Sequence, residues 1–375
     1  MPIYMDRHDI PGVTAKDVAQ AHQEDLKIQE EYDCRGLTYW YDEIRGTAFC
    51  LIDAPDEHAV KKMHDNAHGL IPHQILEVDS NVVNAFLGRI EDPKSADHVN
   101  VDYPVISESA YRTIMYTHMV DYPFILSKYG VSNSQKILNK HDRIIKEAIN
   151  KHNGNEVNQS QEGFIVSFTS MSSSILCAYE IQEEFKNHNN MNPSININVR
   201  IGLSAGDPVS GKDDLFGETL SLAKRCCEFI EKYDIIISSE VKDLYKSNQF
   251  NDLNNSDHIN VKSISKGDEI FLHQLIDLTE DIWNKSGFNV VNFSKQLGLS
   301  KSQLYRKITT LTGLAPNDFI KEFRLKKSVK LIEMQMGNIS EIALDAGFNS
   351  PSYFSSCFHK RFGLLPSNYA HALDK

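Results

Sequence analysis

Toward the C-terminal end, apolar positions recur at helical spacing in short blocks with clear start signals. Leu304, Ile308 and Leu311 share one face of a helix, which leaves Lys301, Ser302, Gln303, Tyr305, Arg306 and Lys307 on the outer face. Ser300 followed by Gln303 is a capping box, and Gly298 marks the turn from a preceding short helix that begins near Val290. A second block repeats the plan, with Gly347 at the turn, Ser350 as N-cap, Pro351 at the first helical position and Phe354 and Phe358 as the buried stripe. Between the blocks, Pro316 to about Met336 reads as one amphipathic helix. It is apolar through Phe319, Ile320, Phe323, Val329 and Ile332, and basic through Lys321, Arg324, Lys326, Lys327 and Lys330.

The N-terminal pattern is different. A strand at Ile3 to Arg7 is followed by a turn at Pro11-Gly12, a helix over Thr14 to Tyr32, strands at Gly36 to Tyr41 and Thr47 to Ala54, a helix over Pro55 to His68, and a final strand or helix. This order predicts a small antiparallel sheet backed by helices. Asn-rich patches at Asn187 to Asn198 and Asn251 to Asp257 lie between periodic segments and are expected to be loops. Polar stretches at Glu91 to Asp97 and near Asp277 to Asn284 mark candidate boundaries.

A chain of 375 residues fits two or three domains. From Lys285 onward there are 13 Lys and Arg against 6 Asp and Glu, so this tail carries about +7 and the remainder about −19 of the net −12. A basic tail on an acidic chain is expected when one segment meets phosphates. The six cysteines show no regular spacing, and no apolar stretch reaches membrane length or resembles a signal peptide. A cytoplasmic protein with no membrane association is therefore expected.

With both blocks, the connecting helix and the closing run Phe362-Gly-Leu-Leu-Pro-Ser-Asn-Tyr369, the C-terminal quarter resembles the arabinose-regulator (AraC-type) DNA-binding domain. At about 1.5 Å per residue the connecting helix spans roughly 30 Å. That is close to the roughly 34 Å repeat of a duplex, so the two outer faces fit successive major-groove turns. The resemblance implies base reading by Lys301, Ser302, Gln303, Arg306, Ser352, Tyr353 and Ser356, and phosphate contact by Arg324 and Lys360. The partner it implies is double-stranded DNA.

The first 92 residues resemble a small bacterial domain family that includes a nickel-binding protein, through Gly46-Thr-Ala-Phe-Cys-Leu-Ile-Asp-Ala-Pro-Asp-Glu57 and the helix that follows. Seven of the fifteen histidines precede residue 99, and His64 and His68 lie four apart on a predicted helix, so their rings project from one face. Together with His8 they are candidate ligands for nickel or another transition metal, and His22, His73, Cys50 or Asp65 are available to complete the shell.

The middle third resembles class III nucleotidyl cyclases. Its landmarks are a strand at Tyr111 to Val120, a hairpin over Gly154 to Phe168, a strand at Val199 to Gly206, a helix opened by Asp214 to Arg225, and a strand at Ile235 to Ser238. That family uses two carboxylates to hold two magnesium ions. His118 stands at the first of these positions and Glu162 at the second, while Asn158, Ser221 and Arg225 occupy positions given in the family to lysine, asparagine and arginine. Imidazole is a poor magnesium ligand, so the resemblance implies a catalytically silent fold kept for homodimerisation or ligand sensing, with no catalytic residue. Glu162, Asp214 and Arg225 remain as a candidate nucleotide site.

The expected architecture is α+β and multidomain. It comprises an N-terminal ferredoxin-like α/β sandwich (1–92), a linker (93–107), a central cyclase-like α/β sandwich (108–277) and a C-terminal all-α double helix-turn-helix domain (278–375). The expected function is sequence-specific transcriptional regulation, with no cofactor required for it. The alternative is a nucleotidyl cyclase or nucleotide sensor with a DNA-binding tail.

Overall fold

A computed structural model of the chain describes all residues except 94–103, 161, 212–213, 246–258, 288–289 and 374–375. Most of the expected 93–107 linker and the Asn251 to Asp257 patch therefore lie outside the described residues.

The N-terminal unit runs β1 (Ile3–Asp9), α1 (Ala15–Ile28), β2 (Arg35–Asp42), β3 (Thr47–Asp53), α2 (Glu57–Ala67), β4 (Gln74–Val78) and α3 (Ser80–Leu87). Its strands form an antiparallel sheet in the order β2-β3-β1-β4, the ferredoxin-like arrangement. The final element is both a strand and a helix. Helix α1 closes earlier than expected, because the chain tightens into a 3-10 turn at Gln29–Tyr32 and then takes a left-handed conformation at Asp33. One face of the sheet packs Tyr4, Tyr39, Tyr41 and Ile52 against Val18, Ala19, Val60 and Met63. The alternate residues, Met5, Trp40, Phe49 and Leu51, join Phe86, Ile114, Val209 and Phe216 in a second core that reaches into the central unit.

The central unit contains β5 (Arg112–Met119), α4 (Ile125–Lys151), β6 (Asn155–Ser160), β7 (Gly163–Phe168), α5 (Met171–Met191), β8 (Val199–Gly206), α6 (Gly217–Phe229), β9 (Ile235–Ile237), α7 (Ser239–Leu244) and β10 (Val261–Ser263). The sheet order is β10-β9-β8-β5-β7-β6, antiparallel from β8 to β6 and parallel from β8 to β10. Helices α4 and α5 cover one face, where Met115, Phe164, Val166, Ile201 and Leu203 meet Ile145, Ile175 and Ile181. On the opposite face, Tyr116 packs with Ala223 and Cys227 of α6. Gly163 and Gly202 sit where an added Cβ would fall 1.9 Å from the Thr117 carbonyl oxygen and 2.0 Å from that of Ala223, so neither position has room for a side chain. The Asn-rich patch is a correction: residues up to Met191 belong to α5, and the Asn189 side chain bonds both the N–H and the carbonyl of Ile197.

Helix α8 (Lys266–Ile282) crosses the expected boundary at 277/278 unbroken. Its apolar face, with Phe271, Leu272, Leu275 and Ile276, is packed on both sides at once. It meets Cys226, Ile230 and Ile236 of the central unit, and Phe293, Leu304, Ile308 and Phe319 of the tail. The tail continues as α9 (Val290–Gln296), α10 (Lys301–Thr312), α11 (Pro316–Glu333), α12 (Ile339–Asp345), α13 (Pro351–Phe362) and α14 (Pro366–Leu373). Helix α11 ends before the expected Met336 because Gln335 adopts a left-handed φ of 52° and Gly337 follows at 155°.

Candidate functional site

Local sequence builds the two candidate reading helices. Ser300 Oγ accepts from the Gln303 N–H at 3.2 Å while the Gln303 side chain accepts from the Ser300 N–H at 2.9 Å, so the capping box of α10 is closed. Leu304, Ile308 and Leu311 are buried; Lys301, Ser302, Gln303, Tyr305 and Arg306 are exposed. On α13, Ser350 caps the Tyr353 N–H, Phe354 and Phe358 are fully buried, and Ser352, Tyr353, Ser356 and Lys360 are exposed. Each unit thus turns one polar face to solvent.

Helix α11 joins them, but part of its basic surface is engaged inside the protein. Lys326 Nζ bonds Glu231 at 2.7 Å and the Glu228 carbonyl at 2.8 Å, and Lys327 pairs with Glu280 at 2.6 Å. The Arg324 guanidinium donates to the carbonyls of Trp283 (2.7 Å) and Lys285 (2.8 Å), and burial lowers its pKa. Arg361 spans Glu322 and Asp121.

In the central unit, His118 lies at the end of β5, with its Nδ1 3.8 Å from Glu162. Both line a cleft of about 150 Å³ against α11 and α13, together with Arg200, Lys326, Lys330 and Arg361. Burial, together with the nearby charges of Lys326 and Arg200, pushes the His118 imidazole down to about 3, so it is neutral. Arg225 does not join Glu162: its guanidinium donates to the His273 ring and carbonyl and pairs with Asp277, on α8. Asp214 is exposed, in the turn before α6, and neither Asp214 nor Arg225 lines the cleft. The three expected nucleotide-site residues are therefore not brought to one place.

The N-terminal unit gathers a buried cluster. Strand β1 alternates faces, so Asp6 and His8 point the same way and Arg7 the other; register places Asp6 opposite Cys50 on β3. His64 comes from α2 and Asp25 from α1. Asp6, His8, Cys50 and His64 form one group and Asp25, His64 and His68 another, each with donor atoms within 4.8 Å of one another. Burial pushes the Asp6 carboxyl up, but the charges and hydrogen bonds of His8 and His64 outweigh it and hold it well below the carboxylate range. Burial opposes charge on His64, yet Asp6 and Asp25 raise it to about 10, while burial and then Asp6 drive the Cys50 thiol far up. His8 Nε2 lies 3.3 Å from Asp6 Oδ1, and His22 Nε2 lies 3.5 Å from Asp92. Imidazoles, a thiol and carboxylates in this compact array fit a transition metal.

His8, His64 and His68 thus converge, joined by Cys50. His73 is engaged elsewhere, accepting from the Asp9 N–H, and Asp65 is exposed. Asp6 and Asp25 are the ligand-type residues that sequence reasoning missed; the pattern Asp6-x-His8 on one strand face was the available signal for the first.

Residues 4–78 match the family "Nickel responsive protein SCO4226-like", residues 106–276 the "Adenylate and Guanylate cyclase catalytic domain", and residues 293–372 a "Helix-turn-helix domain". Histidine kinase P4 of Formosa agariphila is 43% identical over 107 residues, 28% of this chain and 8% of that protein. The HTH-type transcriptional regulator MtrA of Neisseria gonorrhoeae is 29% identical over 98 residues, 26% of this chain and 31% of the relative. The crystal structure of SCO4226 from Streptomyces coelicolor A3(2) is 34% identical, covering 20% of this chain and 94% of that one, with a TM-score of 0.20. The chain spans less than a third of the length of these two regulatory relatives. Within the described residues no helix is long and apolar enough to cross a membrane. The chain therefore joins, in order, an SCO4226-like domain, an adenylate and guanylate cyclase-like domain and a helix-turn-helix domain.

Proposed function

We propose that this protein is a sequence-specific DNA-binding transcriptional regulator whose two upstream domains sense a ligand or metal and bring two chains together, and that it works in the cytoplasm. The observation that carries the reading is the pair of outward polar faces on α10 and α13, each built on a buried apolar stripe and joined by one helix of 18 residues, about 27 Å long. Lys301, Ser302, Gln303 and Arg306 on the first face, and Ser352, Tyr353 and Ser356 on the second, read base edges; Lys360 meets phosphate. Arg324 orients α11 through the carbonyls of Trp283 and Lys285, and any phosphate contact it makes comes from the remainder of its fork.

The cyclase-like domain serves as a silent scaffold and the surface for a homodimer. His118 is neutral and Arg225 is committed to α8, which disfavours the paired-metal chemistry of nucleotide cyclisation. In the N-terminal domain, Asp6, His8, Cys50, His64, Asp25 and His68 are the residues that would hold nickel or a related ion. Metal bound at these residues would tie β1, β3, α1 and α2 together.

Selection of bound fragments from random duplexes by the full chain, with and without nickel, tests the reading. A recovered motif with two half-elements about one helical turn apart is expected. Recovery of no motif at low ionic strength overturns it. Incubation with ATP or GTP and Mg²⁺ or Mn²⁺ yields no cyclic product if the central domain is silent.

A further inference from the structure

The two donor groups in the N-terminal domain share one ring, and they use opposite sides of it. Through Nε2, His64 reaches Asp6 at 2.7 Å; through Nδ1 it reaches Asp25 at 3.1 Å and His68 at 3.2 Å. Donors sit about 2.0–2.3 Å from a tetrahedral transition-metal ion, so a group whose donors all lie within 4.8 Å of one another is about the size of one shell. A single ion cannot use both groups, because the two nitrogens of an imidazole point apart. His8, only 4% exposed, adds an Nε2 that lies 3.3 Å from the Asp6 carboxylate at the first group.

We propose that His64 bridges two transition-metal ions. One is held by Asp6, His8, Cys50 and His64 Nε2, the other by Asp25, His68 and His64 Nδ1. This rests on the metal-binding reading of the domain given above. On loading, the protons bound to the His64 ring nitrogens and the Cys50 thiol proton leave to solvent. An imidazolate, a thiolate and two carboxylates remain, four anionic donors matching the charge of two divalent ions, as a buried site requires. The first ion has four protein donors. The second has three, which leaves one position for water or a small exogenous donor, and residues of both groups line one cavity of about 320 Å³.

Native mass spectrometry of the full chain titrated with nickel should find two ions bound. His68→Ala and Asp25→Asn should each reduce this to one, whereas Cys50→Ser should weaken only the other ion. His64→Ala should weaken both, and the three single-site variants keep the test decisive if that protein fails to fold. Loading ¹⁵N-histidine-labelled protein with ¹¹³Cd should give one imidazole in which both nitrogens are split by cadmium. One ion per chain, or two ions with no doubly split ring, overturns the bridge but leaves metal binding intact. No uptake of nickel, zinc or cadmium overturns the bridge and the metal reading together.

Discussion

Phe124 stacks on Phe362, ring centroids 4.3 Å apart and planes 18° from parallel. The first ring follows β5 in the cyclase-like domain; the second ends the reading helix α13. Phe124 also meets Tyr369 at 4.8 Å and belongs to the same core as Phe354 and Phe358. The cyclase-like domain thus supplies part of the interior of the second helix-turn-helix unit. It supplies part of the first as well, through α6 and α8.

Phe124→Ala removes a side chain 5% exposed and leaves a cavity between the two domains. A loss of about 3–5 kcal/mol is expected from such a truncation. Hydrogen exchange should rise in α13 and α14 before it rises in α4, and chemical denaturation should lose its single transition. Unchanged exchange in α13 would count against the shared core.

Arg306→Ala and Lys360→Ala separate reading from anchoring. The first should cost about 1–3 kcal/mol on the selected site and relax preference at one position. The second should weaken binding evenly across sequences and lower the salt slope by roughly one counterion. Fluorescence anisotropy over a salt series measures both.

Arg324→Ala tests whether this residue acts inside the protein. Its guanidinium satisfies two backbone carbonyls at the end of α8, so its loss should destabilise the tail by about 1–3 kcal/mol. The salt slope of DNA binding should stay nearly unchanged. A stable variant with a reduced slope would make Arg324 a phosphate contact instead.

His118 sets an acid limit on stability. Its folded pKa is lowered to about 3 from an ordinary 6.5, so below 6.5 the unfolded chain binds a proton that the folded chain refuses. Stability contributed by the neutral ring is complete above pH 6.5 and is lost as pH falls from there toward 3. Urea midpoints measured between pH 7 and pH 4.5 should fall, and His118→Gln should flatten part of that slope.

The reading helices were legible because their signals are local. A capping box, a turn glycine and an apolar stripe all lie within about a dozen residues, and backbone hydrogen bonding makes that period physical. The same holds for the ferredoxin-like order of the first domain, where strand and helix periods alternate. The helical end of the Asn-rich patch escaped because Asn189 bonds Ile197, a contact that composition does not display.

His64 and His68 were visible as a pair four residues apart on one helix, but their partners were not. Asp6 lies 58 positions from His64, Asp25 lies 39, and Asp121 lies 240 from Arg361. The sequence by itself determined which elements form, which faces they bury, and that a basic tail follows an acidic body. Tertiary structure decided what the register of β1 on β3 brings to His64, where Lys326, Lys327 and Arg324 spend their charge, and that the domains share cores. Contacts across such separations depend on how sheets and helices pack in space, and packing leaves no period along the chain.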